Sequence, residues 1–196
     1  MRAIVFSFGL AACTPDIVSG AYLCGPEASC PAGQVCSGRD NTCVLPSLAE
    51  PFSCESEMDF EPDDTIVDAH LIENLGCVSA LFANDACMLA GDTADWLAFV
   101  PPSVCSAVEV QARLSFPVAF EELGLELWDI DHDMPLETDT ACKQGAGTGE
   151  VRRCLDFVLV PGTKYGIKVH PTGKGTCGGA CAYNRYTLSV QLATPG

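Results

Sequence analysis

Thirteen cysteines in 196 residues constrain this chain more than any other feature it has. A reducing compartment would keep that many thiols apart, so the count reads as an exported chain stapled by disulfides. Zinc is the competing use of cysteine. However, His70, His132 and His170 lie far apart, and no two cysteines stand at the two-residue spacing of a metal knuckle. An odd number also leaves one cysteine over, and that one needs a separate explanation.

Cys13 supplies it. Met1-Arg2 is a minimal positive start, Ala3 to Ala12 is an apolar run ending in small residues, and Leu10-Ala11-Ala12-Cys13 resembles the lipobox of bacterial lipoproteins. The resemblance implies a signal peptide over residues 1–12 and a lipid on the Cys13 thiol. The protein would then be held on a membrane of the bacterial cell envelope, at the outer membrane or cell surface. The apolar run is too short to cross a bilayer by itself, whereas two or three acyl chains on one cysteine would anchor the chain firmly. Removing residues 1–12 takes away Arg2, so the charge becomes 9 − 26 = −17, and beyond Cys13 an even twelve cysteines remain.

Residues 13–23 read as a tether. Cys24, Cys30, Cys36 and Cys43 follow at intervals of five, five and six residues, punctuated by Gly25-Pro26, Pro31-Ala32-Gly33 and Gly38. So many turns leave almost no core, and a unit this small keeps its shape only through cross-links. Residues 24–45 are therefore expected to be a stalk module with two disulfides, and they resemble the short cysteine-rich modules that follow the lipobox in bacterial surface lipoproteins. Residues 46–56 read as a linker, and residues 57–196 as the main domain.

In that domain apolar residues recur at every second position. Val108, Val110, Ala112 and Leu114 alternate with polar residues, and Leu123, Leu125 and Leu127, then Tyr165, Ile167 and Val169, then Tyr186, Leu188, Val190 and Leu192 alternate with polar residues or glycine. Period two is the mark of half-buried strands. Pro161-Gly162 stands between two such runs and reads as a hairpin turn. Residues 68–81 fit neither period cleanly. The expected class is all-β, a β-sandwich preceded by the small disulfide-rich module.

Charge narrows the function. Ten Lys and Arg face 26 Asp and Glu, a formal net charge of −16. Such a surface repels phosphate backbones, so nucleic acid is not an expected partner. It suits a cation. Between Glu57 and Asp64 every charged residue is acidic, and Asp92 and Asp95 follow just ahead of an apolar run. Like charges gathered so densely repel unless a cation compensates them, and calcium takes six to eight oxygen ligands of this kind.

Five short motifs carry a resemblance over residues 57–196. They are Glu61-Pro62-Asp63-Asp64-Thr65, Gly91-Asp92-Thr93-Ala94-Asp95-Trp96-Leu97-Ala98-Phe99, Leu125-Glu126-Leu127-Trp128-Asp129, Val160-Pro161-Gly162-Thr163-Lys164-Tyr165 and Tyr186-Thr187-Leu188-Ser189-Val190. In that order they resemble the bacterial pre-peptidase C-terminal domain, a family related to the calcium-dependent collagen-binding domains of collagenases. The resemblance implies a jelly-roll-like sandwich without catalysis. Matched position by position, it also implies a calcium site at Asp59, Glu61, Asp63, Asp64, Asp92 and Asp95.

Other candidates are weaker. Asp129, Asp131 and Asp133 start like a calcium-binding loop, but Met134 stands where such a loop needs glycine and Thr140 where it needs glutamate. The Gly145 to Gly149 string lacks the lysine of a phosphate loop and lies between Cys142 and Cys154, the expected disulfide across a hairpin. Cys177 and Cys181 flank another glycine pair and are expected to bridge each other. His132 has no nucleophile motif beside it. Trp128 and Tyr183 are expected to be packed. The functional expectation is a non-catalytic surface lipoprotein whose sandwich binds a protein, matrix or glycan partner. The alternative is a structural or accessory envelope lipoprotein that partners a protease or another envelope protein.

Overall fold

The computed structural model describes residues 17–54, 60–73, 75–78, 81–174 and 183–195. Two short strands, β1 (Val35–Cys36) and β2 (Cys43–Val44), form a ribbon within the cysteine-rich segment. Cys24–Cys36 and Cys30–Cys43 cross-link it. Ten further strands follow: β3 (His70–Leu71), β4 (Phe82–Met88), β5 (Asp95–Phe99), β6 (Val108–Pro117) and β7 (Leu123–Asp129), then β8 (Met134–Thr138), β9 (Thr140–Ala141), β10 (Glu150–Leu159), β11 (Tyr165–Pro171) and β12 (Asn184–Ala193).

They make two five-stranded sheets in the orders β4-β12-β6-β10-β9 and β3-β5-β11-β7-β8. Every pairing is antiparallel except that of β3 with β5. The sequence's period-two runs become β6, β7, β11 and β12, and along β6 buried and half-buried residues alternate without a break. Val110, Leu114, Leu188 and Leu192 from the first sheet meet Leu97, Leu125, Leu127 and Ile167 from the second in one fully buried core. The chain is thus an all-β sandwich of two packed sheets.

At one end β4 leads to β5 through 89–94 and β6 to β7 through 118–122, each passing from one sheet to the other, and β11 ends and β12 begins at the same end. The cysteine-rich module sits against this end. The Ala28 amide donates to the Ala119 carbonyl at 3.0 Å, and the Arg185 guanidinium donates to the carbonyls of Gly38 and Arg39. Phe52 packs on Tyr183 at 4.2 Å and on Phe120 at 5.7 Å. Cys54 is bonded to Cys87 of β4. Within the segment expected as a linker, 46–56, one aromatic and one cysteine, Phe52 and Cys54, find partners on the sandwich.

The expected hairpin at Pro161-Gly162 is corrected. β10 belongs to the first sheet and β11 to the second, so this turn carries the chain across the sandwich. Turn residues announce a reversal of direction but do not say which sheet receives the next strand. Gly162 takes φ +86° there, its amide donates to the Pro101 carbonyl at 2.8 Å, and the Val160 amide donates to the Tyr165 hydroxyl at 2.9 Å. Cys77–Cys105 ties the adjoining 100–107 connection to Cys77, between β3 and β4. At the sheet edge, Cys142–Cys154 closes the β9–β10 hairpin.

Candidate functional site

Alternation along β5 sends Asp95, Leu97 and Phe99 into the sandwich, so an acid occupies what would otherwise be a core position. Asp95 is only 1 % exposed. From the opposite sheet Tyr186 donates its hydroxyl to Asp95 Oδ2 at 2.5 Å, while Asp95 Oδ1 accepts no hydrogen bond from the described residues. A buried tyrosine needs a partner for its hydroxyl, and here the partner is a carboxylate. Nothing in the alternation of β12 distinguished Tyr186 from an ordinary core residue.

Two turns bring further acids to the same place. The Trp96 amide donates to the Asp63 carbonyl at 3.0 Å, which lays the 61–64 segment beside the start of β5. The Glu61–Pro62 peptide bond is cis, and the Asp63 amide donates to Glu61 Oε2 at 3.4 Å. In the β4–β5 turn, Gly91 adopts φ +111° and Asp92 Oδ2 accepts from the Leu89 amide at 2.5 Å. One carboxylate oxygen each from Glu61, Asp92 and Asp95 then lie within 4.8 Å of one another. Burial pushes the Asp95 carboxyl up from 3.8 to about 8; the Tyr186 hydroxyl opposes that rise, and the charges of Asp63, Glu61 and Asp92 add to it.

Of the six acids expected to share a site, the structure therefore converges Glu61, Asp92 and Asp95. Asp63 is buried close enough to act on Asp95 through its charge. Asp64 is exposed and stands outside the converging group. Asp59 lies outside the described residues, as do Cys13, Cys177 and Cys181. A second group close enough for a metal, Cys24, Cys30 and Cys43, has its sulfurs committed to disulfides and offers no thiolate.

No family model matches the sequence, and no curated protein does. One solved structure that the fold is similar to is the pre-peptidase C-terminal domain of a collagenase from Bacillus anthracis. It shares 16% identity and a TM-score of 0.41, over 64% of this chain and 94% of that one. The sandwich described above rests on its own strand order and packing.

The remaining candidates resolve into structural roles. Asp129, Asp131 and Asp133 belong to the β7–β8 hairpin, where Asp129 accepts from the His132 amide at 3.1 Å and its other oxygen lies 2.9 Å from His132 Nδ1. Asp131 accepts from the Lys164 amide at 3.3 Å. His170 lies 3.5 Å from Glu126. Among the described residues, neither His132 nor His170 has a hydrogen bond to a serine, threonine or cysteine. Trp128 is half-buried against Trp96 in an edge-to-face pair at 5.5 Å, with the Lys168 ammonium over both rings.

Proposed function

We propose that this chain is a non-catalytic binding module of the bacterial cell envelope, anchored through a lipid on Cys13 and braced by calcium held at Glu61, Asp92 and Asp95. The observation that carries the reading is the buried Asp95 carboxylate, whose second oxygen accepts no hydrogen bond from the described residues while two other carboxylates close on it. Burying an ionised acid without compensation costs several kcal/mol, and a hard divalent cation removes that cost with oxygen ligands alone. Calcium bound there would tie the 61–64 segment and the β4–β5 turn to the start of β5, fixing one end of the sandwich. Two features support a non-catalytic role: both candidate histidines are committed to carboxylates, and the acids are engaged in turn and strand contacts.

Melting curves at fixed ionic strength test the calcium site. Calcium at about 100 times its dissociation constant should add roughly 2.7 kcal/mol, Asp92→Asn or Asp95→Asn should remove that gain, and Asp131→Asn in the β7–β8 turn should keep it. An equal gain with magnesium would mean charge screening rather than a site, and identical curves in calcium and chelator would refute the brace. For the anchor, cells fed a labelled fatty acid should label the native protein and not Cys13→Ser. Label retained in Cys13→Ser would refute the anchor.

A further inference from the structure

The outer face of the first sheet carries a groove of about 540 Å³, within the range of small-molecule sites. Register builds its floor. Ser115 lies opposite Arg152 of β10, and Arg113 lies between Cys154 of β10 and Ser189 of β12. Cys154 shares the outward face with Arg113, so its bridge to Cys142 holds residues 142–144 beside that face as a wall.

Charge in the groove is opposite to that of the molecule. Arg113, Lys143 and Arg152 line it with a single acid, Asp156, leaving seven bases against twenty-five acids in the rest of the chain. Arg113 is fixed by Asp156 at 2.6 Å and by the carbonyls of Ala112 and Leu155 at 2.8 and 3.2 Å. Arg152 stands 3.5 Å from Glu150, and Lys143 makes no ion pair among the described residues. At physiological salt charges are felt over about 8 Å, so an anion in the groove responds to these bases more than to the distant acids. A long polyanion would extend beyond them.

Besides Ala141 and the Cys142–Cys154 bridge, the rest of the lining is hydroxyl and amide: Ser115, Thr140, Gln144 and Ser189, with no aromatic ring. Such a surface suits a ligand that presents many hydroxyls and a few negative charges. We propose that this groove binds an acidic saccharide, a short run of sugar rings carrying carboxylate or sulfate groups. Lys143 and Arg152 meet the anionic group, and Ser115, Gln144 and Ser189 meet ring hydroxyls. The proposal rests on the binding-module reading but not on the calcium brace, which lies at the start of β5 in the other sheet.

Calorimetric titration of the full chain, disulfides formed, tests it with three probes of equal length: oligogalacturonate, a sulfated galactan oligomer and a neutral galactan oligomer. At least one acidic oligomer should bind with Kd below about 1 mM and the neutral one should not; the two acidic arms tell carboxylate from sulfate. Lys143→Glu and Arg152→Glu should each weaken binding about tenfold or more, with unchanged melting, because each removes a charged hydrogen bond. Lys164→Glu, at the far end of the sandwich, should leave it unchanged. Equal binding of the neutral oligomer, no binding by any probe, or wild-type affinity in both groove variants would overturn the proposal. Affinity should also be the same in calcium and in chelator. Binding lost only in chelator would place the saccharide at the calcium site and overturn the groove, while unchanged binding beside a flat calcium melting curve would leave the groove standing without the brace.

Discussion

The cysteine-rich module and the sandwich are held together by different physics. The sandwich buries opposed rows of leucine, valine and isoleucine between two sheets, and its strands pair along up to ten residues. The module pairs two residues with two, and its buried apolar residues are its own half-cystines, Cys24 and Cys43. The apolar side chains that complete the module's small core, Phe52, Ala119, Phe120 and Tyr183, come from outside residues 24–45. One region is folded by packing. The other is folded by covalent closure and by borrowing a surface. The number of ordered residues explains the division, since a segment of some twenty residues cannot exclude enough water to offset its own chain entropy.

The largest expected effect lies in the sandwich core. Leu188→Ala should cost about 3–5 kcal/mol of unfolding free energy in denaturant titration, and a cost below about 1 kcal/mol would mean that cross-links rather than packing hold the sheets.

Next comes the one core position filled by an acid. The folded-state pKa of Asp95 is raised from 3.8 to about 8, so the folded form holds a proton that the unfolded chain releases. That contribution is complete below about pH 4 and is lost as pH rises towards 8. The metal-free protein should therefore lose on the order of 3–5 kcal/mol across that window, and Asp95→Asn should flatten the slope. Melting curves between pH 4 and 8 check both, and a slope that survives Asp95→Asn would assign it to other groups.

Removing one module bridge with Cys24→Ser and Cys36→Ser should cost about 3 kcal/mol by the loop-entropy argument. Hydrogen exchange should then show amides of residues 24–45 unprotected while those of β6 and β12 stay protected. Loss of protection in all of them together would erase the distinction, making the two regions one cooperative unit. A smaller change is expected at their contact: Phe52→Ala should cost about 1–2 kcal/mol, because the ring is only half-buried. Least of all, Glu50→Gln should change stability by under about 0.5 kcal/mol, since the Arg39–Glu50 pair is more than half exposed on both sides.

The sandwich was legible wherever one face of a strand is wholly apolar, as in β6, β7, β11 and β12. β4 was not, because Asn84 occupies a buried position and breaks the alternation. β3 pairs only two residues, too few for a period to register. Asp92, Asp95 and Glu61 could be anticipated from acid density and from motifs that resemble those of a known family. Tyr186 could not, because its role depends on facing β5 across the sandwich. The partners of Cys54 and Cys77 were equally hidden, since Cys54 and Cys77 themselves lie on connections whose paths only tertiary structure decides. The groove bases were scattered over Arg113, Lys143 and Arg152, and only strand register brings them onto one face.

The Cys54–Cys87 bond has a mechanical consequence. Tension applied to any point before Cys54 enters the sandwich at Cys87, near the end of β4, and not along the intervening chain. Residues 55–86 sit inside that covalent loop and cannot be drawn out while the bond stands. A pull directed along the axis of β4 would shear its hydrogen bonds to β12 together rather than peel them one by one. Pulled from its N-terminal side, the chain would lengthen before Cys24 and between Cys43 and Cys54, while the Cys24–Cys36 and Cys30–Cys43 bonds limit the stretch between them, with the sandwich intact at the end of the line.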